Sequence, residues 1–296
     1  MANGNYGKGN GYGGKGNSAH GNGNFKRALA DSGFTFKKKF GQNFLTDEEL
    51  LDGIVEKAGV DKDTTVIEIG CGAGTLTRAI ARRAKFVYGY EIDKSLQPVL
   101  ARTLAGVDNA EIIFKDFTRM RIDQMERSMP PYRVVANLPY YVTTPLIMML
   151  IENSRKCLSL TVMVQEEVAL RLCAKPNTAD YGAITANVAL RGECAIVERV
   201  GREKFTPSPN VDSAVVRIDL SERRLEVDDV ELYKKTVKAA FSSRRKTLEN
   251  NIVNGFSLPR EVAKTVIADC GFDPSVRGEA LSPQDFALLS DRLGKL

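Results

Sequence analysis

The chain is nearly without histidine: its one copy, His20, lies in a low-complexity N-terminal stretch. That nearly excludes a histidine general base and a histidine-ligated metal from the folded part. Cys-x-x-Cys pairs are missing too. Cys71, Cys157, Cys173, Cys194 and Cys270 stand far apart in sequence, which suits buried thiols in a reducing compartment better than a disulfide frame or a zinc site. No apolar N-terminal segment of the signal-peptide kind occurs, and the central apolar run, Leu146 to Ile151, is far too short to cross a bilayer. The expectation is a soluble, cytoplasmic protein with no metal and no membrane partner.

What is present is ordinary in bulk. A chain of 296 residues allows two compact domains, or one large domain with an appendage. A net charge of +5 permits an anionic partner without requiring one. Residues 1–24 are almost entirely Gly and Asn, with no apolar face to bury, so disorder is expected there. This tail is a spacer, or a weak nucleic-acid contact through Lys8 and Lys15. Phe34-Thr35-Phe36-Lys37-Lys38-Lys39-Phe40 interleaves aromatics with lysines, a pattern that tracks a phosphate backbone while stacking on bases, or forms a solvated basic turn. Thr46-Asp47-Glu48-Glu49 reads as a capping box at Thr46, opening a helix to about Ala58 that Gly59 stops.

Thr64 to Ile69 is β-branched and apolar, the pattern of a first parallel strand. It runs into Glu68-Ile69-Gly70-Cys71-Gly72-Ala73-Gly74-Thr75, and a helix is expected from Thr75 to Arg83. Such a turn lets a ligand approach the backbone beside a helix N-terminus. The next strand, Phe86 to Tyr90, ends in Glu91-Ile92-Asp93. Glu91 stands twenty-one residues after Gly70, the spacing at which an acid reaches ribose hydroxyls. A dinucleotide fingerprint wants Gly or Ala where Thr75 stands. Gly-x-Gly-x-Gly preceded by Glu68 suits the nucleoside turn of S-adenosylmethionine (SAM) enzymes better than an NAD site; a tight turn without a ligand is the plain alternative. A third strand, Ala110 to Phe114, ends in Lys115-Asp116-Phe117. There an acid and a ring can hold an adenine, or Asp116 is merely a helix N-cap.

Tyr132 to Ala136 reads as a buried strand, and Asn137-Leu138-Pro139-Tyr140 follows. The Asn137 amide oxygen and the Leu138 carbonyl are two acceptors, Pro139 fixes its own φ, and Tyr140 offers a ring face. This suits a flat base carrying an exocyclic amine; the alternative is a strand ending in an Asn-containing turn. Thr143-Thr144-Pro145 is expected to start a helix over Leu146 to Ile151. Leu158 to Val164 reads as a strand, Gln165 to Ala174 as a helix and residues 175–182 as a loop. Ile184 to Leu190, Ala195 to Val200 and Ala214 to Leu220 complete an α/β unit. Between the last two, Phe205 sits in a loop stiffened by Pro207 and Pro209, where it either closes over a base opposite Tyr140 or plugs the loop. The charge run from Ser221 to Asp229 marks a boundary. Helices are expected at Val230 to Phe241, Arg260 to Asp269 and Ser282 to Leu293, with Arg244-Arg245-Lys246 between the first two.

In this order, Phe40-Gly41-Gln42-Asn43-Phe44-Leu45, Glu68 to Gly74, Glu91-Ile92-Asp93, Asn137-Leu138-Pro139-Tyr140 and Phe205-Thr206-Pro207-Ser208-Pro209 resemble the rRNA adenine N6,N6-dimethyltransferase family over about residues 34–296. Ser243-Arg244-Arg245-Lys246-Thr247-Leu248 with Asn250-Asn251 is similar to its small-subunit, 16S-type branch rather than to the large-subunit enzymes of macrolide resistance. The resemblance implies a Rossmann-like, seven-stranded α/β SAM-dependent methyltransferase core at residues 25–221 and a small helical C-terminal domain at 222–296. It implies methylation of two adjacent adenosines near the 3′ end of small-subunit rRNA, each twice, by a monomer acting on a pre-30S particle. SAM contacts are implied at Gln42, Asn43 and Leu45, at Gly70 and Gly72, at Glu91 and Ile92, and at Asp116, Phe117 and Asn137. Asn137, Leu138, Pro139, Tyr140 and Phe205 are the implied catalytic group. Lys37, Lys38, Lys39, Arg244, Arg245 and Lys246 are the implied RNA contacts. A large-subunit enzyme and a non-catalytic RNA-binding assembly factor remain as alternatives.

Overall fold

The computed structural model describes residues 43–220 and 225–296. The 1–24 tail, Lys37, Lys38, Lys39 and Gln42 lie outside the described residues. A short strand β1 (Phe44–Leu45) leads into α1 (Glu48–Lys57). Strands and helices then alternate: β2 (Thr65–Ile69), α2 (Thr75–Arg83), β3 (Phe86–Glu91), α3 (Gln97–Thr103), β4 (Ala110–Phe114), α4 (Ile122–Met125), β5 (Tyr132–Asn137), α5 (Tyr140–Asn153), β6 (Cys157–Gln165) and α6 (Glu166–Leu172). After α7 (Ala183–Val188) come β7 (Glu193–Val200), β8 (Phe205–Thr206) and β9 (Ser213–Asp219). The chain finishes with α8 (Val230–Ala240), α9 (Leu248–Phe256), α10 (Arg260–Asp269) and α11 (Pro283–Leu293).

Seven strands form one sheet in the order β4-β3-β2-β5-β6-β9-β7, the α/β core the sequence leads one to expect. The first five run parallel, and β9 lies antiparallel between β6 and β7. Alternate residues of the strands feed opposite faces, as a period of two requires. Ile67, Val134, Ala136, Leu160 and Val216 pack on the face covered by α5. Val66, Val135, Met163 and Val215 pack on the face covered by α1 and α2. The chain winds outward from β2 through β3 to β4, then returns to the other side of β2 with β5. The helices that follow β2 and β5 therefore lie on opposite faces, and a crevice opens where the two strands part.

Two helix starts differ from expectation. The N-cap of α1 is Asp47, not Thr46: its carboxylate accepts from Leu50 N–H at 3.1 Å and is tied to Lys204 at 2.6 Å. α5 begins at Tyr140 rather than near Pro145, so the proline sits inside the helix. The turn is closed upstream of it, where the Pro139 carbonyl accepts from Val142 N–H at 3.1 Å and from the Thr143 hydroxyl at 3.1 Å. α6 is shorter than expected at both ends, and α9 is a helix that the basic run before it conceals. Among the described residues no helix is long and apolar enough to cross a membrane.

The helical unit packs around Tyr233, Val237, Leu248, Ile252, Ile267 and Phe286, and its core also takes in Tyr181, Ala186 and Leu190. Packing thus continues across the boundary expected at 221/222. The Tyr181 hydroxyl donates to the Leu281 carbonyl at 2.8 Å, and that of Tyr233 to the Ala186 carbonyl at 3.0 Å. Arg244 donates to the carbonyls of Ala179 at 2.6 Å and Tyr181 at 3.0 Å. It ties the two units together while staying exposed itself, as Arg245 and Lys246 are. The loop carrying them is shaped by buried Asn251, whose amide donates to the carbonyls of Ala240 at 2.8 Å and Ser243 at 3.0 Å. Replacing Asn251 by Ala strands both carbonyls, so it is expected to cost roughly 1–3 kcal/mol. Urea unfolding at wild-type stability would show that these bonds do not hold the loop.

Candidate active site

The glycine turn after β2 is built for close approach. Gly70 and Gly72 have φ of +75° and +54°, a region L-residues with side chains rarely enter. A Cβ on Gly72 would also stand 2.8 Å from the Phe44 ring. From the end of β3, Glu91 reaches under this turn. Its carboxylate accepts from the N–H groups of Gly72, Ile92 and Asp93, each at 2.8 Å. A carboxylate has about four acceptor positions, so roughly one is left for a ligand hydroxyl. Burial pushes the Glu91 carboxyl up, and the three N–H groups pull it back down.

Glu68, one strand over, is 1% exposed, and neither of its oxygens has a hydrogen-bond partner. Burial first, helped by the nearby charge of Glu91 and opposed by the neighbouring Thr77 hydroxyl and Cys71 thiol, pushes its carboxyl up to about 8. Past β4, Asp116 is an N-cap: it accepts from Thr118 N–H at 3.0 Å and from the Thr118 hydroxyl at 2.6 Å. It borders the crevice all the same. Phe117 packs edge-on against Tyr90, ring centroids 4.9 Å apart.

Asn137 is the last residue of β5. Its Nδ2 donates to the Asn43 carbonyl at 3.2 Å, which leaves Oδ1 as the other end of a fixed amide. Tyr140 opens α5, and its hydroxyl is held 2.9 Å from Ser213 Oγ. A strap closes the far side: β1 pairs antiparallel with β8, Leu45 opposite Phe205 and Phe44 opposite Thr206. The Thr75 hydroxyl fastens it by donating to the Leu45 carbonyl at 2.8 Å. Phe205 is buried at 4% exposure in the core beneath the strap, with its ring also forming crevice wall. It is a fixed wall here, not an exposed closing flap.

One crevice thus gathers Asn43 and Leu45 of the strap, Gly70 and Gly72, Glu91 and Ile92, Asp116 and Phe117, and Asn137 through Tyr140 with Phe205. Arg244, Arg245 and Lys246 are not part of it. Sequence reasoning used Glu68 only as part of the glycine motif, without placing it at the crevice floor, and gave no role to the Thr75 hook, to Phe44 against Gly72, or to Tyr141 at its rim, which is 63% exposed. Tyr141 was legible as a neighbour of the tetrapeptide; burial of Glu68 was not legible at all. Among the described residues no group of three His, Cys, Asp or Glu side chains stands ready for a metal.

The ionisable lining is Glu68, Glu91, Asp116 and Lys115. With the Glu68 carboxyl pushed toward its neutral form, Glu91 and Asp116 against Lys115 still leave an acidic lining, which disfavours a pyrophosphate and favours a cation. An unpartnered buried carboxyl on the floor and a cradle too tight for a Cβ at Gly72 therefore fit a nucleoside carrying a sulfonium and an ammonium group.

A family model described as ribosomal RNA adenine dimethylase matches residues 33–294. The chain belongs to that family. The ribosomal RNA small subunit methyltransferase A of Bacillus licheniformis is 45% identical over 276 residues, covering 90% of this chain and 94% of the relative. The crystal structure of a dimethyladenosine transferase from Plasmodium falciparum superposes with a TM-score of 0.72 at 25% identity, covering 83% of this chain and 95% of that one. That of the 23S rRNA methyltransferase ErmE does so with 0.67 at 29%, covering 85% and 100%. For this rRNA adenine dimethylase, the glycine turn, the acid after β3 and the Asn-Leu-Pro-Tyr segment converge on one crevice of a methyltransferase fold.

The buried acid makes stability depend on pH. Glu68 titrates near 4.5 when unfolded and about 8 when folded, so the folded state is increasingly disfavoured as pH rises between those values, by up to about 1.4 kcal/mol per pH unit. In Glu68→Gln the difference in unfolding temperature from wild type is expected to move in the variant's favour from pH 5 to pH 8. A difference that stays constant across this range would show that Glu68 is ionised in the fold.

Proposed function

We propose that this chain transfers methyl groups from SAM to the exocyclic N6 of two adjacent adenosines near the 3′ end of small-subunit rRNA, twice each. We further propose that it acts as a monomer on a pre-30S particle, releases S-adenosylhomocysteine and uses no metal. The observation that carries this reading is the fixed Asn137 amide at the tip of β5, facing the crevice bordered by Gly70 and Glu91. The 45% identity to a small-subunit enzyme over nine-tenths of the chain supports the choice of RNA.

When bound, SAM supplies an electrophilic methyl on a sulfonium. The protein's task is then position and polarisation. An adenine amine is a weak nucleophile because its lone pair is delocalised into the ring. Asn137 Oδ1 and the Leu138 carbonyl accept the two amine hydrogens, which draws the nitrogen toward a tetrahedral shape and aims its lone pair. The Asn43 carbonyl, by taking Nδ2, decides which end of the amide does this. The flipped base lies against Tyr140, whose ring is braced through Ser213. No titrating group is needed, in keeping with the lack of histidine among the described residues. Glu91, through its remaining acceptor position, holds the donor's ribose. Arg245 and Lys246, with Lys37, Lys38 and Lys39, contact the RNA backbone, and Arg244 holds the helical unit that presents the first two.

Large-subunit RNA, the substrate class named for the ErmE structure, is the reading to be tested against this one, and the higher identity to small-subunit enzymes weighs against it. Incubation with labelled methyl donor and unmethylated small and large particles, followed by mapping of the modified bases, separates the two. Two adjacent small-subunit adenines are the expected result; label in large-subunit RNA overturns the proposal. Asn137→Ala is expected to slow turnover on the order of 10²–10³-fold, and an unchanged rate removes its amide from the chemistry. Replacing Arg245 and Lys246 by Gln is expected to lower the slope of log affinity against log salt by about one per lost phosphate contact; an unaltered slope places them off the RNA.

A further inference from the structure

Away from the crevice, the fold brings together two thiols that lie 21 residues apart in sequence. Cys173 is the C-cap of α6, and Cys194 is the second residue of the sheet-edge strand β7. Their sulfurs are 2.7 Å apart. The expectation of five separate buried thiols is therefore corrected: Cys71, Cys157 and Cys270 are buried, whereas Cys173 and Cys194 are half-buried and adjacent. Both line a second cleft of about 350 Å³ between the sheet and the helical unit, bordered by Lys175, Tyr181, Leu225 and Gln284. The cleft gives a small reagent access to the pair. With Cys194 as donor in the S–H···S contact, the Cys173 thiol falls below its ordinary value, and Cys194 is pushed up by the same bond and by burial. Two adjacent thiols open to a cleft are the arrangement in which oxidation is site-selective and reversible.

We propose that Cys173 and Cys194 are an oxidative modification site, converted by peroxide into an intramolecular disulfide and restored by a small thiol reductant. The Cys173 thiolate attacks one peroxide oxygen, the O–O bond breaks, and a sulfenic acid forms as hydroxide leaves. Cys194 then attacks that sulfur, the S–S bond forms, and the sulfenic oxygen departs as water. Two thiols lose two electrons and their two protons, and the peroxide ends as two waters. The bridge closes the segment 173–194, which carries α7 and Tyr181, the surface on which the helical unit rests. Closing it restricts the unfolded chain, so the oxidised protein melts higher, on the order of 5 °C.

The test exposes the full chain to hydrogen peroxide, denatures it, alkylates it with iodoacetamide and maps peptides by mass. The expected result is protection of two of the five thiols, a linked Cys173–Cys194 peptide that dithiothreitol abolishes, and a raised unfolding temperature. Cys270→Ser is expected to give the same linked peptide. Cys194→Ser is expected to leave Cys173 as a sulfenic acid that dimedone traps. Alkylation of all five thiols in peroxide-treated wild type, or a bridge between other cysteines or between chains, overturns the proposal whatever the variants do.

Discussion

The crevice keeps its form because one buried carboxylate is solvated by backbone rather than by water. Glu91 gathers the N–H groups of Gly72, Ile92 and Asp93, and in doing so pins the glycine turn after β2 to the end of β3. An acid shut away from water needs such donors to remain charged. Only a turn whose residues can take left-handed φ can bend far enough to supply one from Gly72. The mutual dependence of acid and glycine turn fixes this end of the crevice, and the rest of the crevice wall is arranged around it.

The strap complements this from outside. Two residues of β1 lie on two residues of β8, hooked by Thr75 and braced by the contact of Phe44 with Gly72. Thr75 breaks the dinucleotide fingerprint in the sequence, and its hydroxyl shows why a hydroxylated residue serves there: it holds a strand, where a dinucleotide fold would place a small residue for close packing. The same strap, through the Asn43 carbonyl, turns the Asn137 amide. The chain's N-terminal approach thus orients a side chain 94 residues away.

Much of this was legible in the sequence because local pattern and tertiary role coincide. The runs Phe86 to Tyr90 and Ala110 to Phe114 are buried by their neighbours whatever the ligand, so alternation and β-branching found them within a residue. The turn at Gly70 announces itself because glycine takes its left-handed φ without the strain a side chain brings. Elements whose boundaries depend on distant partners were harder. Asp47 outcompetes Thr46 as a cap with help from Lys204, far along the chain, and α5 starts at Tyr140 because the Pro139 carbonyl is satisfied by Val142 and Thr143 ahead of Pro145. The upward push on the Glu68 carboxyl, the hydrogen bonds of the exposed Arg244 to the Ala179 and Tyr181 carbonyls and the meeting of Cys173 with Cys194 are products of packing, and no spacing along the chain encodes them.

The core of the helical unit draws Tyr181, Ala186 and Leu190 from a stretch that precedes the last two strands of the sheet. The two lobes are therefore interleaved along the chain rather than strung end to end. A fragment cut at 221 would carry an oily scar where the bundle had been, and one begun at 225 would lack part of its own filling. The unit that carries Arg245 and Lys246 is thus not a portable module: part of its filling belongs to the stretch that leads into the sheet's last strands.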